Sequence, residues 1–221
     1  MYLKKAVKRA LPAAAGFILG AAALLAALYV TGGVLLEEIP GFERTPGLDG
    51  EAQAQNSYLV EKAYDILEVI KEGDYAALAR SVHPEYGVVF SPYAAISLAT
   101  NKCFTESQVA DFATDANTYV WGVYDGSGDP IELTPAEYFA RFVYNRDFAR
   151  ASVVGVNYIV RSGNALENIT EVFPGVRFVD FYLPGDDKSP DSYDWNSLRL
   201  GFEEHSGGLR LTVIVHSEWT I

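Results

Sequence analysis

The sequence predicts an α+β domain preceded by one transmembrane helix. Three observations support this prediction. A basic tail precedes an unbroken apolar run from Ala10 to Val30, helix patterns with clear caps come next, and strand patterns dominate the second half of the chain. Helices followed by a run of mostly antiparallel strands are typical of α+β domains, in which the helices pack on one face of a curved sheet.

The apolar run is long enough to cross a bilayer as one helix, because a helix needs roughly 20 apolar residues to do so. Four basic residues lie on its N-terminal side, and the first acidic residue is Glu37. By the positive-inside rule, residues 1–9 form a cytoplasmic tail, residues 10–36 a signal-anchor in the cell membrane, and the remainder an extracytoplasmic part.

A cleavable signal peptide is the alternative interpretation of this N-terminal pattern. The apolar run exceeds the usual 7 to 15 residues of a signal-peptide core. In addition, the exit from Tyr29 to Leu36 stays apolar and offers no clean small-x-small cleavage site. We therefore expect an anchor that is retained.

The charge of the chain limits its partners. The net charge is −12, and the part beyond the basic tail carries −16. Such an acidic surface disfavours nucleic acid and anionic lipid as partners, whereas it is compatible with cations or basic ligands. Cys103 is the one cysteine, so an exported domain has no internal disulfide and depends on its apolar core for stability.

The helices are predicted by apolar stripes and caps. Residues 37–56 are rich in proline and glycine and read as a linker to a domain at 57–221. An apolar stripe predicts a helix over Tyr58–Glu72, and a short helix over Asp74–Val82 follows. Capping boxes that begin at Thr105 and Thr134 predict two more helices.

Six later segments have the alternating or continuous apolar pattern of strands. They are Val88–Phe90, Tyr119–Tyr124, Ser152–Val160, Val176–Leu183, Leu198–Glu203 and Leu209–His216. The last two flank the sequence His-Ser-Gly-Gly at 205–208, which is typical of a hairpin turn.

The element order resembles the NTF2-like cone: a helical pair leads into a His-Pro…Gly-Val-x-Phe segment at 83–90, and three long strands end the chain. Several phrases also resemble an uncharacterised family of membrane-anchored bacterial envelope proteins. These phrases are Phe90–Tyr93, Tyr119–Gly122, Tyr124–Gly128, Phe142–Tyr144, Asp194–Leu200 and Val215–Ile221. The resemblance implies an envelope location and assigns no activity, since one fold hosts many functions.

A possible metal site lies in the segment Asp125-Gly-Ser-Gly-Asp. Asp125, Ser127 and Asp129 place oxygen side chains at alternate positions, as at the start of a calcium loop. The remainder of the loop pattern does not match, because position six is Pro130 and position twelve is Ala136. A tight turn between a strand and a capped helix explains the same residues. Calcium binding and a plain turn therefore remain alternatives, and we expect no cofactor.

One pair of residues is the candidate acid–base machinery. His216 lies on the last strand, where an NTF2-like cone would place a cavity-lining base, and Asp180 shares a strand face with Phe178 and Tyr182. An apolar setting would raise the pKa of that carboxyl group. The alternative for Asp180 is an ion pair with an arginine, and a lone strand histidine is more often structural.

Aromatic and basic residues supply a candidate ligand site. If they converge near His216, they would form an apolar pocket with a few polar groups. They are Tyr93, Trp121, Arg141, Tyr144, Arg199 and Trp219. Three functions therefore remain: a binding or accessory domain of the cell envelope for a small molecule or a protein, which we favour; a small lyase or isomerase; and a structural interaction domain with a filled cone.

Overall fold

The computed structural model describes residues 50–185 and 193–220. The predicted tail, signal-anchor and most of the linker lie outside these residues. None of the helices in the described part is both long and apolar enough to span a bilayer.

The four predicted helices are present in the predicted order, together with a short helix that the sequence pattern does not predict. In chain order they are α1 (Gly50–Glu72), α2 (Tyr75–Ala79), α3 (Glu106–Ala110), α4 (Pro135–Tyr138) and α5 (Ile169–Val172). Helix α4 continues as a π-helical turn over Phe139–Val143. Both predicted capping boxes are present, with the Thr105 and Thr134 hydroxyls accepting the N3 amides of α3 and α4. Helix α1 begins at Gly50, so the end of the predicted linker is helical.

Eight strands in the described part of the chain form two sheets. They are β1 (Val88–Ser91), β2 (Lys102–Phe104), β3 (Tyr119–Val123), β4 (Pro130–Leu133), β5 (Val153–Val156), β6 (Arg177–Leu183), β7 (Asn196–His205) and β8 (Gly208–Glu218). The main sheet has the order β2-β1-β8-β7-β6-β5, and β3 and β4 form a separate hairpin. Only the pairing of β1 with β8 is parallel among these strand pairs. The predicted α+β class is confirmed.

The main sheet is covered on both faces. Its inner face carries Leu198, Leu200 and Ile214 and packs with the helices in the larger apolar core. Its outer face carries Phe178 and Val215 and packs in a smaller core with side chains from the segment 157–176, which we call the strap. Each buried polar group on β6, β7 and β8 therefore belongs to one of two separate environments.

A β-bulge on β8 changes which residues share a face. The register shifts between Gly201 and Phe202, so that Thr212 is the extra residue on β8. As a result Leu211 packs in the same core as Ile214, whereas strict alternation would place them on opposite faces. A Cβ on Gly201 would lie 2.5 Å from Val213 Cγ1, which explains why glycine occupies the position opposite the bulge.

Candidate functional site

The predicted acid–base pair does not form, because the sheet places His216 and Asp180 on opposite faces. Asp180 is paired with Arg199, and Arg199 with Val215, on the outer face. His216 is paired with Leu198 on the inner face, where its ring lies 5.9 Å from the ring of Phe142. Both side chains are fully buried. The alternative interpretation of Asp180, an ion pair with an arginine, is the one the structure shows.

On the outer face, Arg199 joins two carboxylates. Its Nε lies 3.2 Å from Asp180 Oδ1, and its Nη2 donates to Glu167 Oε1 at 2.9 Å, with a second contact from Nη1 to Glu167 Oε2. The other Asp180 oxygen accepts the Val160 amide at 2.8 Å. Burial raises the pKa of Asp180, and Arg199 and the Val160 amide oppose that effect. Because Val160 and Glu167 belong to the strap, this network fastens the strap to the sheet.

On the inner face, Glu218 is the centre of a second polar cluster. Arg141 donates to both of its oxygens, at 2.6 and 3.3 Å, and Asn196 Nδ2 donates at 3.2 Å. His216 Nε2 lies 3.2 Å from Glu218 Oε2, in contact with the carboxylate but misaligned for a hydrogen bond. The cluster connects the buried imidazole to the half-exposed guanidinium of Arg141.

The charge states in this cluster follow from burial and contact. Burial alone would raise the pKa of Glu218, but His216 and Arg141 outweigh it and lower that pKa to about 2. Burial lowers the pKa of His216 more than Glu218 raises it, so the imidazole is neutral at pH 7. Arg141 and Glu218 therefore form one neutral ion pair above a neutral histidine.

We expect Glu218→Gln to lower the free energy of unfolding at pH 7 by about 1–2 kcal/mol, after allowance for the partial exposure of the group. The unfolded carboxyl has a pKa near 4.3. Because the folded pKa is lower, the carboxylate stabilises the fold above that value, and its contribution is lost as the pH falls toward 2. Urea denaturation at pH 7, 4 and 2.5 measures this. The deficit of the variant should shrink with acid, whereas a constant deficit would contradict the assignment. Glu61→Gln, on the exposed face of α1, is the matched control.

Beside this cluster lies an open cleft of about 470 Å³. One wall is the β1–β2 connection, and the other is the β3–β4 turn at 123–128, with Ala165 of the strap at one end. Tyr93 and Tyr124 line it, and their rings lie 5.9 and 6.5 Å from that of Phe142. The Arg141 guanidinium lies 4.4 Å from the centre of the Phe142 ring.

The first wall of the cleft is held in place by one amide. Asn101 Oδ1 accepts the Ser97 amide at 2.7 Å and the Ser91 hydroxyl at 3.1 Å. Gly122 on β3 has φ 154°, and a Cβ there would lie 3.1 Å from Pro92 Cγ. Glycine at this position therefore allows the two walls to approach each other.

Of the six residues predicted to bind a ligand, Tyr93 lines the cleft and Arg141 lies beside it. Trp121 is fully buried, stacked on Tyr138 at 3.8 Å, with its Nε1 donating to the Leu133 carbonyl. The other three lie elsewhere for physical reasons. Arg199 is held on the outer face, Tyr144 donates to Asp147 at 2.6 Å, and Trp219 packs on Tyr193.

The predicted calcium loop forms the β3–β4 turn. Asp125 accepts the Gly126 amide at 3.1 Å and the Thr220 hydroxyl, and Ser127 accepts the Asp129 amide at 3.2 Å. Within residues 50–185 and 193–220, no three acidic, histidine or cysteine side chains are grouped so that they could hold a metal ion. Turn formation explains these contacts, and calcium binding stays a prediction.

Two central residues were missed from the sequence. Glu218 lies two residues after His216 on the same strand, so strand alternation from His216 would have placed both on one face. Glu167 lies in the irregular strap, where no periodic pattern marks it. Its role depends on the fold of a non-repetitive segment, for which the sequence carries no signal.

Comparison with solved structures gives a distant structural neighbour. No protein-family model matches the chain, and no curated protein matches it either. A solved chain whose title begins Rd1NTF2_05 is similar over 77% of this chain and 100% of its own length, with 13% identity and a TM-score of 0.29. A TM-score this low does not establish a common fold, and the fold is defined by the strand order and registers of the two sheets.

Proposed function

We propose that the chain is a membrane-anchored, extracytoplasmic NTF2-like binding or accessory module of the cell envelope, and that its ligand site is the open cleft between Tyr93 and the β3–β4 turn. The basic tail and apolar run support the anchor. The order of helices and strands, with three long antiparallel strands at the end, supports the NTF2-like assignment.

The binding function is supported by where the described domain has room for a ligand: the interior is filled by side chains, and the cleft at Tyr93 is open. The space between the helices and the inner face of the sheet is occupied by a cluster of fully buried aromatic side chains. They include Phe90, Phe104, Phe112, Trp121, Tyr138 and Phe142. Other open clefts of about 400 to 550 Å³ lie on the described surface, but the cleft at Tyr93 is the one of these that two tyrosine side chains line, and its volume is within the usual range of ligand sites.

An enzyme is the second candidate, and His216 is the feature that favours it. Both ring nitrogens of His216 are buried without a hydrogen bond in the described residues, and a neutral imidazole could accept a proton. A substrate, however, would have to reach a side chain with no exposed surface. The buried position therefore favours a structural histidine beneath the binding site.

A thermal-unfolding screen with a cleft-blocking variant tests the proposal. A ligand that binds only the folded chain raises the unfolding midpoint by mass action. We expect small organic ligands to stabilise the full chain, and we expect Ala95→Trp to abolish that effect because Ala95 is an exposed residue of the cleft wall. Ala113→Trp, at an exposed site away from the cleft, should leave the response unchanged.

The same screen separates the two candidates. His216→Phe keeps an aromatic ring and removes both nitrogens, so a binding module keeps its ligand response in this variant. Ligand responses that survive Ala95→Trp but vanish with His216→Phe would contradict the cleft and support an active site at His216.

A further inference from the structure

We propose that the cleft binds a small organic cation that carries an alkylammonium group, with Asp125 as its counter-ion and the tyrosine rings as its walls. This inference rests on the proposed function and adds the chemical class of the ligand. It is independent of the calcium hypothesis, which concerns bare metal ions held by oxygen atoms of the turn.

The first argument is the charge of the lining. Among the described residues that line the cleft, Asp125 is the one with a formal charge, and none is basic. Arg141, which lies beside the cleft, is neutralised by its two hydrogen bonds to Glu218. A ligand in the cleft therefore meets one uncompensated negative charge, on a chain whose net charge is −12.

The Asp125 carboxylate is held in place by uncharged groups. Its Oδ2 accepts the Thr220 hydroxyl and its Oδ1 accepts the Gly126 amide, so two neutral donors fix the carboxylate. The Thr220 amide in turn donates to Asn164 of the strap at 3.4 Å. A carboxylate has about four lone-pair positions, so two remain for a ligand. Because neither donor is charged, the negative charge of Asp125 is left for the ligand to balance.

The cleft also has aromatic walls that suit a cation. Tyr93 and Tyr124 line the cleft and converge on Phe142 beneath it. The faces of aromatic rings attract cations, and quaternary ammonium groups are recognised in this way. Burial raises the pKa of Tyr93, so its ring remains a neutral phenol at pH 7. An anion would be repelled by Asp125, and a neutral ligand would gain nothing from its charge.

A matched set of probes tests the inference. Choline, 3,3-dimethylbutan-1-ol and 3,3-dimethylbutanoate have similar shapes and are cationic, neutral and anionic. Each is titrated into the full chain in a maltoside detergent, and NMR signals of Tyr93 and Tyr124 report occupancy of the cleft. We expect choline to bind about tenfold more tightly than the neutral alcohol. We expect the butanoate to bind more weakly than both.

Two variants assign the effect to the carboxylate. Asp125→Asn keeps the shape and one acceptor oxygen for the Gly126 amide, and its new NH2 group can donate to the Thr220 hydroxyl oxygen. The variant should weaken choline binding about threefold to fivefold while leaving the alcohol unaffected. Asp129→Asn removes an exposed carboxylate of the same turn that does not line the cleft, and should change neither. Choline binding that is equal in both variants would overturn the role of Asp125.

The outcomes also separate this inference from the proposed function. Equal or tighter binding of the alcohol at the cleft overturns the cation and leaves a binding module. If none of the three probes changes the NMR signals of Tyr93 and Tyr124, the cationic ligand is ruled out. The thermal-unfolding screen with Ala95→Trp then tests the binding function separately. A trimethyllysine peptide distinguishes two sources of the ammonium group, a protein side chain and a small solute. Tighter binding than choline indicates the protein side chain, and weaker binding indicates the solute. Either result supports an ammonium ligand.

Discussion

Replacing Arg199 by methionine is expected to lower the free energy of unfolding by about 3–5 kcal/mol, because it leaves a buried carboxylate without its charged partner. Asp180 and the Arg199 side chain have no exposed surface, and Glu167 would lose its partner as well. Urea denaturation at pH 7 measures the effect. Arg141→Met removes the exposed arginine from the pair with Glu218 and should cost much less, about 1 kcal/mol.

The pH dependence of the Arg199→Met deficit gives an additional check. Burial already raises the pKa of Asp180, and Arg199 opposes that effect. Without Arg199 that pKa rises further, so Asp180 takes up a proton at a higher pH in the folded variant than in the unfolded chain. A group with a raised pKa in the folded state gains stability as the pH falls. The deficit should therefore be smaller at pH 5 than at pH 7, and a larger deficit at pH 5 would contradict the ion-pair account.

Replacing Trp121 by alanine is expected to cost about 3–5 kcal/mol, because it removes a fully buried ring from the core. The ring stacks on Tyr138, and its Nε1 donates to the Leu133 carbonyl at 2.8 Å. Thermal and urea unfolding measure the loss. Trp219→Ala is the matched control: its ring is 38% exposed and packs on Tyr193 at the surface, so a cost below about 1 kcal/mol is expected.

Chemical rescue of the Trp121→Ala variant tests whether the core is filled. An apolar cavity of this size stays dry and can take up a small aromatic molecule. With the cleft blocked by Ala95→Trp in both proteins, indole should therefore raise the unfolding midpoint of the Trp121→Ala variant and leave that of the chain with Trp121 unchanged. Equal stabilisation of both proteins by indole would show that the interior already has room for a ligand.

The local structure of this fold could be predicted from the sequence because caps and stripes act over a few residues. The Thr105 and Thr134 capping boxes form as predicted, and the apolar stripe of α1 is buried as predicted. The hairpin at 205–208 joins β7 to β8, with Ser206 and Gly207 at positive φ. Each of these features is determined by residues that lie close together in the sequence.

The assembly of the site could not be predicted, because it depends on register between distant strands. His216 and Asp180 looked like partners from alternation within each strand, but pairing Asp180 with Arg199 and His216 with Leu198 places them on opposite faces. The bulge at Thr212 adds a shift that no local pattern reveals. The predicted strand over Ser152–Val160 is also shorter, because Asn157 adopts positive φ and the chain turns into the strap.

Ligands are expected to bind in the open cleft and not to enter the filled interior. The most direct test is residue-level NMR mapping of a fragment library on the full chain. We expect chemical-shift changes that cluster at Tyr93, Tyr124 and Asp125. The imidazole signals of His216 should not change. If fragments change the NMR signals of both His216 and Phe142 and leave those of the turn at 123–128 unchanged, the site lies in the larger apolar core and a cleft site is contradicted.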